Sequence, residues 1–149
     1  MRINAFSDVC LRALMLLASV PQGGLLTSRA IADTVGTPYS HLSKAVIRLR
    51  ELGLVDVTRG RVGGASLSGF GRRATVGWLL RQLDGRTDLV DCETPKGDCP
   101  LIQHCGLRGA LRRAHEAFYR ELDDVVISAL PHGQQLGPVL VTLTARQSA

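Results

Sequence analysis

The stretch TPYSHLSKAVIRLRELGLVDVTRGRVGGASLS, residues 37–68, decides the fold. Thr37 is a helix-capping residue and Pro38 suits a first helical position, so a helix is expected from here to about Leu52. Leu42, Ala45, Val46, Leu49 and Leu52 recur at three- and four-residue intervals and form one apolar stripe, and Gly53 is the stop. Leu54–Thr58 then alternates as a strand, Arg59-Gly60-Arg61-Val62-Gly63-Gly64 turns the chain, and Ala65–Ser68 returns as a second strand. A capped helix running straight into a hairpin is half of a winged helix-turn-helix.

Working outward, the other half lies upstream. Thr27 caps a short helix, Ser28–Val35, which Gly36 closes. Before it, Ser7 is the expected cap of an apolar helix from about Asp8 to Val20, carrying Val9, Leu11, Leu14, Met15, Leu17 and Ala18, and Pro21-Gln22-Gly23-Gly24 ends that helix. Downstream, Thr75–Leu83 forms a short helix bearing Trp78, and residues 86–105 have no periodicity. From Leu107 to about Leu130 the residues Leu107, Leu111, Ala114, Phe118, Leu122, Val125 and Val126 make a long amphipathic stripe of the kind that pairs with a second helix. The expected organisation is mainly α with a small β-hairpin: a winged helix-turn-helix over 1–84, a cysteine loop over 85–106, a dimerisation helix over 107–130 and a tail over 131–149. In the tail, Val139–Leu143 is an apolar run that suits an edge strand or a docked segment.

Charge says what the first of these parts meets. Residues 1–73 carry ten Lys and Arg against four Asp and Glu, a net +6, whereas residues 74–149 carry eight against nine, a net −1. Only the N-terminal half suits a polyanion. The best apolar run, Ala13–Val20, follows Arg12 and is cut short by Pro21, so no membrane span is expected, and with no signal-peptide pattern at the start the expected location is the cytoplasm. No Ser-His-Asp set or phosphate loop appears, so an enzyme is not expected.

In a winged helix-turn-helix the second helix enters the major groove. Its first turns present Tyr39, Ser40, His41, Ser43 and Lys44, which can donate to base edges or phosphates, and Arg48 is placed to reach the backbone. Arg59 and Arg61, beside Gly63 and Gly64, suit a wing lying in the minor groove. Taken singly, each of these fits a solvated turn charge, a glycine with positive φ or local packing. The helix order, the hairpin and the local positive charge together favour double-stranded DNA.

Three of the four cysteines, Cys92, Cys99 and Cys105, fall within fourteen residues with C-x6-C-x5-C spacing, among Pro95, Gly97 and Pro100. A reducing compartment makes a disulfide framework a poor explanation, and clustered thiolates select zinc, copper(I) or iron–sulfur. Zinc sites favour paired C-x2-4-C spacing, which is absent here. Three thiolates leave one ligand open, with His104, Asp91, Asp98 or a residue elsewhere as candidates. Cys10, in the apolar first helix, reads as core.

With these features assembled, residues 1–130 resemble the NsrR and IscR family of iron–sulfur winged-helix transcription regulators. The resemblance is carried by Phe6-Ser7-Asp8 leading into Leu11-Arg12-Ala13-Leu14, by Pro38-Tyr39-Ser40-His41-Leu42-Ser43-Lys44-Ala45, by the wing and by the three-cysteine loop. It is closest to the NsrR branch, nitric-oxide-sensing repressors carrying a [4Fe-4S] cluster. IscR-like members place a histidine ligand three residues after the last cysteine, where this chain has Arg108, and a guanidinium is no ligand. What the resemblance implies is a homodimer on a pseudo-palindromic operator, with a cluster held by Cys92, Cys99, Cys105 and Asp8, the last contributed across the dimer. Two departures bear on cluster type: the first cysteine gap is one residue longer than the usual x5, and Cys10 is an additional thiol. A [2Fe-2S] redox or cluster-supply regulator is the alternative, with a zinc-stabilised interaction module behind it.

Overall fold

The structure is a computed structural model and describes residues 3–85, 90–94 and 96–131. The expected strand or docked segment at 139–143 lies outside the described residues. Helix α1, Ala5–Ser19, begins earlier than the Ser7 cap anticipates: Asn4, in extended backbone, accepts a hydrogen bond from the Ser7 N–H through its side-chain oxygen at 2.8 Å. Ser7 is instead buried inside the first turn, and Asp8 sits where a carboxylate favours the helix N-terminus. Helix α2, Ser28–Val35, has its expected Thr27 cap, and left-handed Gly36 closes it, with the Gly36 and Thr37 N–H groups both donating to the Ala32 carbonyl. Thr37 stands one residue ahead of the cap position of α3. That helix runs over Tyr39–Glu51 with Pro38 in the cap position and no side-chain cap bond.

The apolar stripe of α3 packs as its spacing requires, with Leu42, Ala45 and Leu49 fully buried against α1 and α2. Each of the two leucines contributes roughly 1.5–3 kcal/mol by leaving water. Strands β1, Val55–Thr58, and β2, Gly64–Leu67, pair antiparallel with Val55 opposite Leu67 and Thr58 opposite Gly64. Leu54, expected in the first strand, is buried ahead of it and accepts from the Ser68 N–H. Leu26 exchanges both backbone hydrogen bonds with Ala65, at 3.0 and 2.7 Å, and so ties the hairpin to the segment ahead of α2.

Helix α4, Val76–Leu83, uses Thr75 as its cap, and the Thr75 hydroxyl accepts from the Trp78 N–H. Helix α5 spans Gly106–Asp123 and does not continue to Leu130. The reason is local and tertiary together. Asp123 and Asp124 oppose the negative end of the helix dipole, and the β-branched run Val125-Val126-Ile127 finds an extended partner. The Val76 N–H donates to the Val125 carbonyl at 2.8 Å and the Ile127 N–H to the Ala74 carbonyl at 3.0 Å, which returns the chain to the body and buries Ile127. Val125 and Val126 therefore leave the stripe that their spacing assigned to the long helix.

Candidate functional site

The first turn of α3 stands at the surface. Tyr39, Ser40, His41 and Lys44 are exposed, as are Arg59 and Arg61 in the turn between the strands. The Ser43 hydroxyl is buried and has no hydrogen-bond partner among the described residues, and Arg48, its side chain 41% exposed, donates to Glu51 Oε2 and to the Gln82 carbonyl, each at 3.3 Å. Arg48 thus links α3 to the end of α4. The hairpin glycines have a packing reason: a Cβ on Gly63 would lie 2.2 Å from the Thr58 carbonyl oxygen, and one on Gly64 would lie 2.8 Å from that of Leu26. Val62 at the tip is 93% exposed, so the apex carries an apolar side chain beside its arginines. Sequence reading missed Arg29, whose guanidinium carbon sits 4.4 Å from the centre of the Tyr39 ring.

The cysteine loop leads into α5. Cys92 lies in a single 3-10 turn, Asp91–Glu93, and with Cys99 and Asp98 it lines an open cavity of about 370 Å³. Cys105 occupies the cap position of α5, its side chain making no cap bond. All three thiols are half-buried and free of disulfides. Among the described residues no three His, Cys, Asp or Glu side chains gather into one metal-sized group, so Cys105 does not join Cys92 and Cys99. His104 and Asp98, two in-loop candidates for a further ligand, are exposed. Asp8 lies on α1, where Arg12 grips its carboxylate with contacts of 2.5 and 3.2 Å, and the same guanidinium is 3.5 Å from the Val35 carbonyl at the end of α2.

The loop is anchored by a contact that spacing did not reveal. The Glu93 carboxylate, 5% exposed, accepts from Arg108 Nε at 3.1 Å and from Arg112 Nε at 2.7 Å. The two arginines, one turn apart on α5, share one face. That i, i+4 arginine pair was the available signal, but it named no partner. Arg108 is therefore committed to holding the loop next to Cys92.

Helix α5 meets the DNA-reading body at α4. Arg81 donates to both oxygens of Glu116 at 3.1 Å and to Asp123 at 3.0 Å, and its guanidinium lies over the Tyr119 ring. The hydrogen bonds from Arg81 hold the Glu116 carboxyl below its ordinary range. Burial, and then donation of its hydroxyl to Asp84, push Tyr119 up to about 12. Tyr119 is the buried residue of α5, whereas Leu107 is 67% exposed and Leu111 and Phe118 are half-covered. The N-terminal half of the helix thus leaves its apolar stripe open.

Cys10 is core, as its helix suggested. It is fully buried, and desolvation raises its thiol from 9.0 to about 12, against a smaller opposing effect of Arg48. The unfolded chain then holds fewer protons between those values, so this group takes stability away as pH rises through that window. Iodoacetamide at pH 8 should alkylate Cys92, Cys99 and Cys105 in the native metal-free protein and spare Cys10 until denaturant is added. Mass spectrometry of the digested protein checks this, and native labelling of Cys10 at the rate of the others would contradict it.

A recognition helix with a polar exposed first turn, a hairpin wing and a third helix behind them define a winged helix-turn-helix transcription regulator. Residues 3–132 match the Rrf2 family, described as iron-dependent transcriptional regulators, and the chain belongs to that family. It is 49% identical, over 99% of both chains, to the HTH-type transcriptional repressor NsrR of Streptomyces coelicolor. Its fold is similar to that of CymR (YrzC), the global cysteine regulator of B. subtilis, with a TM-score of 0.67 at 26% identity over 87% of this chain and 95% of the other. It is also similar to that of IscR from T. potens, with a TM-score of 0.66 at 21% identity over 86% and 84%. The chain is a DNA-binding transcriptional repressor and not an enzyme. Among the described residues no helix is long and apolar enough to cross a membrane.

Proposed function

We propose that the chain is a homodimeric repressor that holds a [4Fe-4S] cluster on Cys92, Cys99 and Cys105 with Asp8 of the partner subunit, and that it releases its operator when nitric oxide destroys that ligation. The observation carrying this reading is the placement of the thiols. Three unpaired cysteines sit on one loop that Glu93 clamps to α5, the helix whose open stripe suits a second copy. The donor chemistry fits an iron–sulfur group: soft thiolates with no disulfide, two of them over one cavity, and no complete set within the described chain. Completion from a second subunit answers that shortfall. When bound, the cluster supplies an iron centre open to nitric oxide, and hence a ligand set that a small reactive signal can dissolve.

The chain's own residues do the rest. Leu107, Leu111 and Ala114 would meet their counterparts on the partner, setting two α3 helices at the spacing of successive major grooves. Tyr39, Ser40, His41 and Lys44 would enter the groove, with Arg59 and Arg61 on the flanking minor groove. Asp8 has two uses, as a ligand across the dimer or as the partner of Arg12. Arg12 also touches the end of α2, immediately before α3, so the choice between them reaches the reading helix. The link from Asp8 to the reading helix thus rests on the chain's own contacts.

The test is an anaerobic purification of the wild type and Asp8→Ala, each titrated with nitric oxide while iron, visible absorption and operator binding are followed. The wild type should be brown with about four irons per chain and should lose the operator as its absorption bleaches; about two irons would favour [2Fe-2S] instead. Asp8→Ala should hold its cluster more weakly and bind the operator less tightly. Loaded wild type whose operator affinity survives bleaching would overturn the mechanism.

A further inference from the structure

The geometry points to Arg29 as a DNA-contacting residue that works with Tyr39 as one unit, a guanidinium stacked on the first side chain of α3 and offering its free N–H groups to a backbone phosphate. This inference rests on α3 being the reading helix. Arg29 is the second residue of α2 and Tyr39 the first of α3, and both are exposed, Tyr39 to 45%. The Cζ-to-ring distance of 4.4 Å is that of a cation lying over a π face. In that pose the ring occupies the face of the guanidinium, and its in-plane donors stay available at the edges.

Two further observations separate a ligand contact from idle packing. No carboxylate among the described residues lies within ion-pair distance of Arg29, a condition it shares with Arg59 and Arg61 of the wing and with Arg50, Arg72 and Arg73, so its charge is not spent inside the fold. A basic residue in a first turn also opposes the positive end of the helix dipole, so the stability of α2 gains nothing from this charge there. An unpaired cation at an unfavourable helix position, stacked on the leading edge of the recognition helix, is what a phosphate bound at that edge would account for. The stack also limits the rotamers of Tyr39, so the ring meets the groove in one orientation and loses less entropy on binding.

The experiment uses the full chain as purified anaerobically and a duplex enriched from random-sequence DNA by repeated selection with that protein. Affinity is measured across a salt series for the wild type, Arg29→Ala, Arg29→Lys, Tyr39→Leu, the Arg29→Ala/Tyr39→Leu double variant and Lys44→Ala. Arg29→Ala should weaken binding about tenfold and lower the slope of log K against log salt by about one per subunit, the signature of one lost phosphate contact. Arg29→Lys should keep the slope but not the full affinity, because an ammonium retains the charge without the planar stack. The double variant should lose less than the product of the two single losses, showing that the pair acts together. An unchanged slope in Arg29→Ala while Tyr39→Leu or Lys44→Ala weakens binding overturns the role of Arg29 alone. Full affinity in all of these variants overturns the placement of α3 in the groove, and the inference with it.

Discussion

Cys99→Ala should yield a colourless protein with little bound iron whose DNA affinity has fallen to the non-specific level, about a thousandfold or more below that for its operator. In the proposed mechanism the effect is all-or-none, because a cluster site one ligand short in its own loop has no replacement for a second lost thiolate. Asp98, which lines the same cavity, would add a second hard oxygen donor beside that of Asp8, and His104 is exposed beside Cys105. The fold itself should survive, since Cys99 is half-buried in a loop outside the apolar core. Iron analysis, visible spectra and operator titration, read beside an unchanged far-UV spectrum, check this. Undiminished operator binding by a properly folded, iron-free Cys99→Ala protein would remove the cluster from the mechanism.

The second large effect is structural and lies at the α4–α5 junction. Gly77→Ala would put a Cβ 2.2 Å from Asp123 Oδ1 and 2.7 Å from both the Asp123 nitrogen and the Tyr119 carbonyl oxygen. A side chain could swing aside, but two of these three atoms belong to the backbone of α5, so the helix itself must retreat. Retreat would pull Tyr119 from Asp84 and separate Arg81 from Glu116 and Asp123. A loss of about 3 kcal/mol is expected, at the upper end of ordinary overpacking. That corresponds to a fall in Tm on the order of 10 °C for a chain of this size. Gly69→Ala is the control, because an added Cβ there meets nothing within 4 Å and should leave Tm unchanged. Equal Tm values for the two variants would show that α5 does not depend on this close approach.

Through this junction a run of polar contacts also joins the cysteine loop to the reading helix. Glu93 holds the cysteine loop to Arg108 and Arg112 of α5, Arg81 holds α5 to α4, and the Gln82 carbonyl at the end of α4 receives Arg48 of α3. Each step is a named polar contact between packed elements. Arg48 thus makes a contact within the fold while keeping a surface position that suits the expected phosphate contact.

The local part of the architecture was legible in the sequence because its causes are local. Thr27 and Gly36 bracket α2, the three-and-four spacing of Leu42, Ala45, Val46 and Leu49 orients α3, and Arg59 to Gly64 makes the turn. Steric rules and burial of one stripe act over a few residues, so the linear pattern carries them. The burial of Cys10 was readable for the same reason. Where α5 ends earlier than expected, a partner distant along the chain had intervened: Ala74 and Val76 claim Val125 and Ile127. The Glu93 clamp and the Arg29–Tyr39 stack belong to the same class, since each depends on which helix faces lie opposite one another. Elements and donor types are thus properties of the sequence by itself, whereas the pairing of those donors, and the freedom of a charge to meet a ligand, were decided only when the chain folded back on itself.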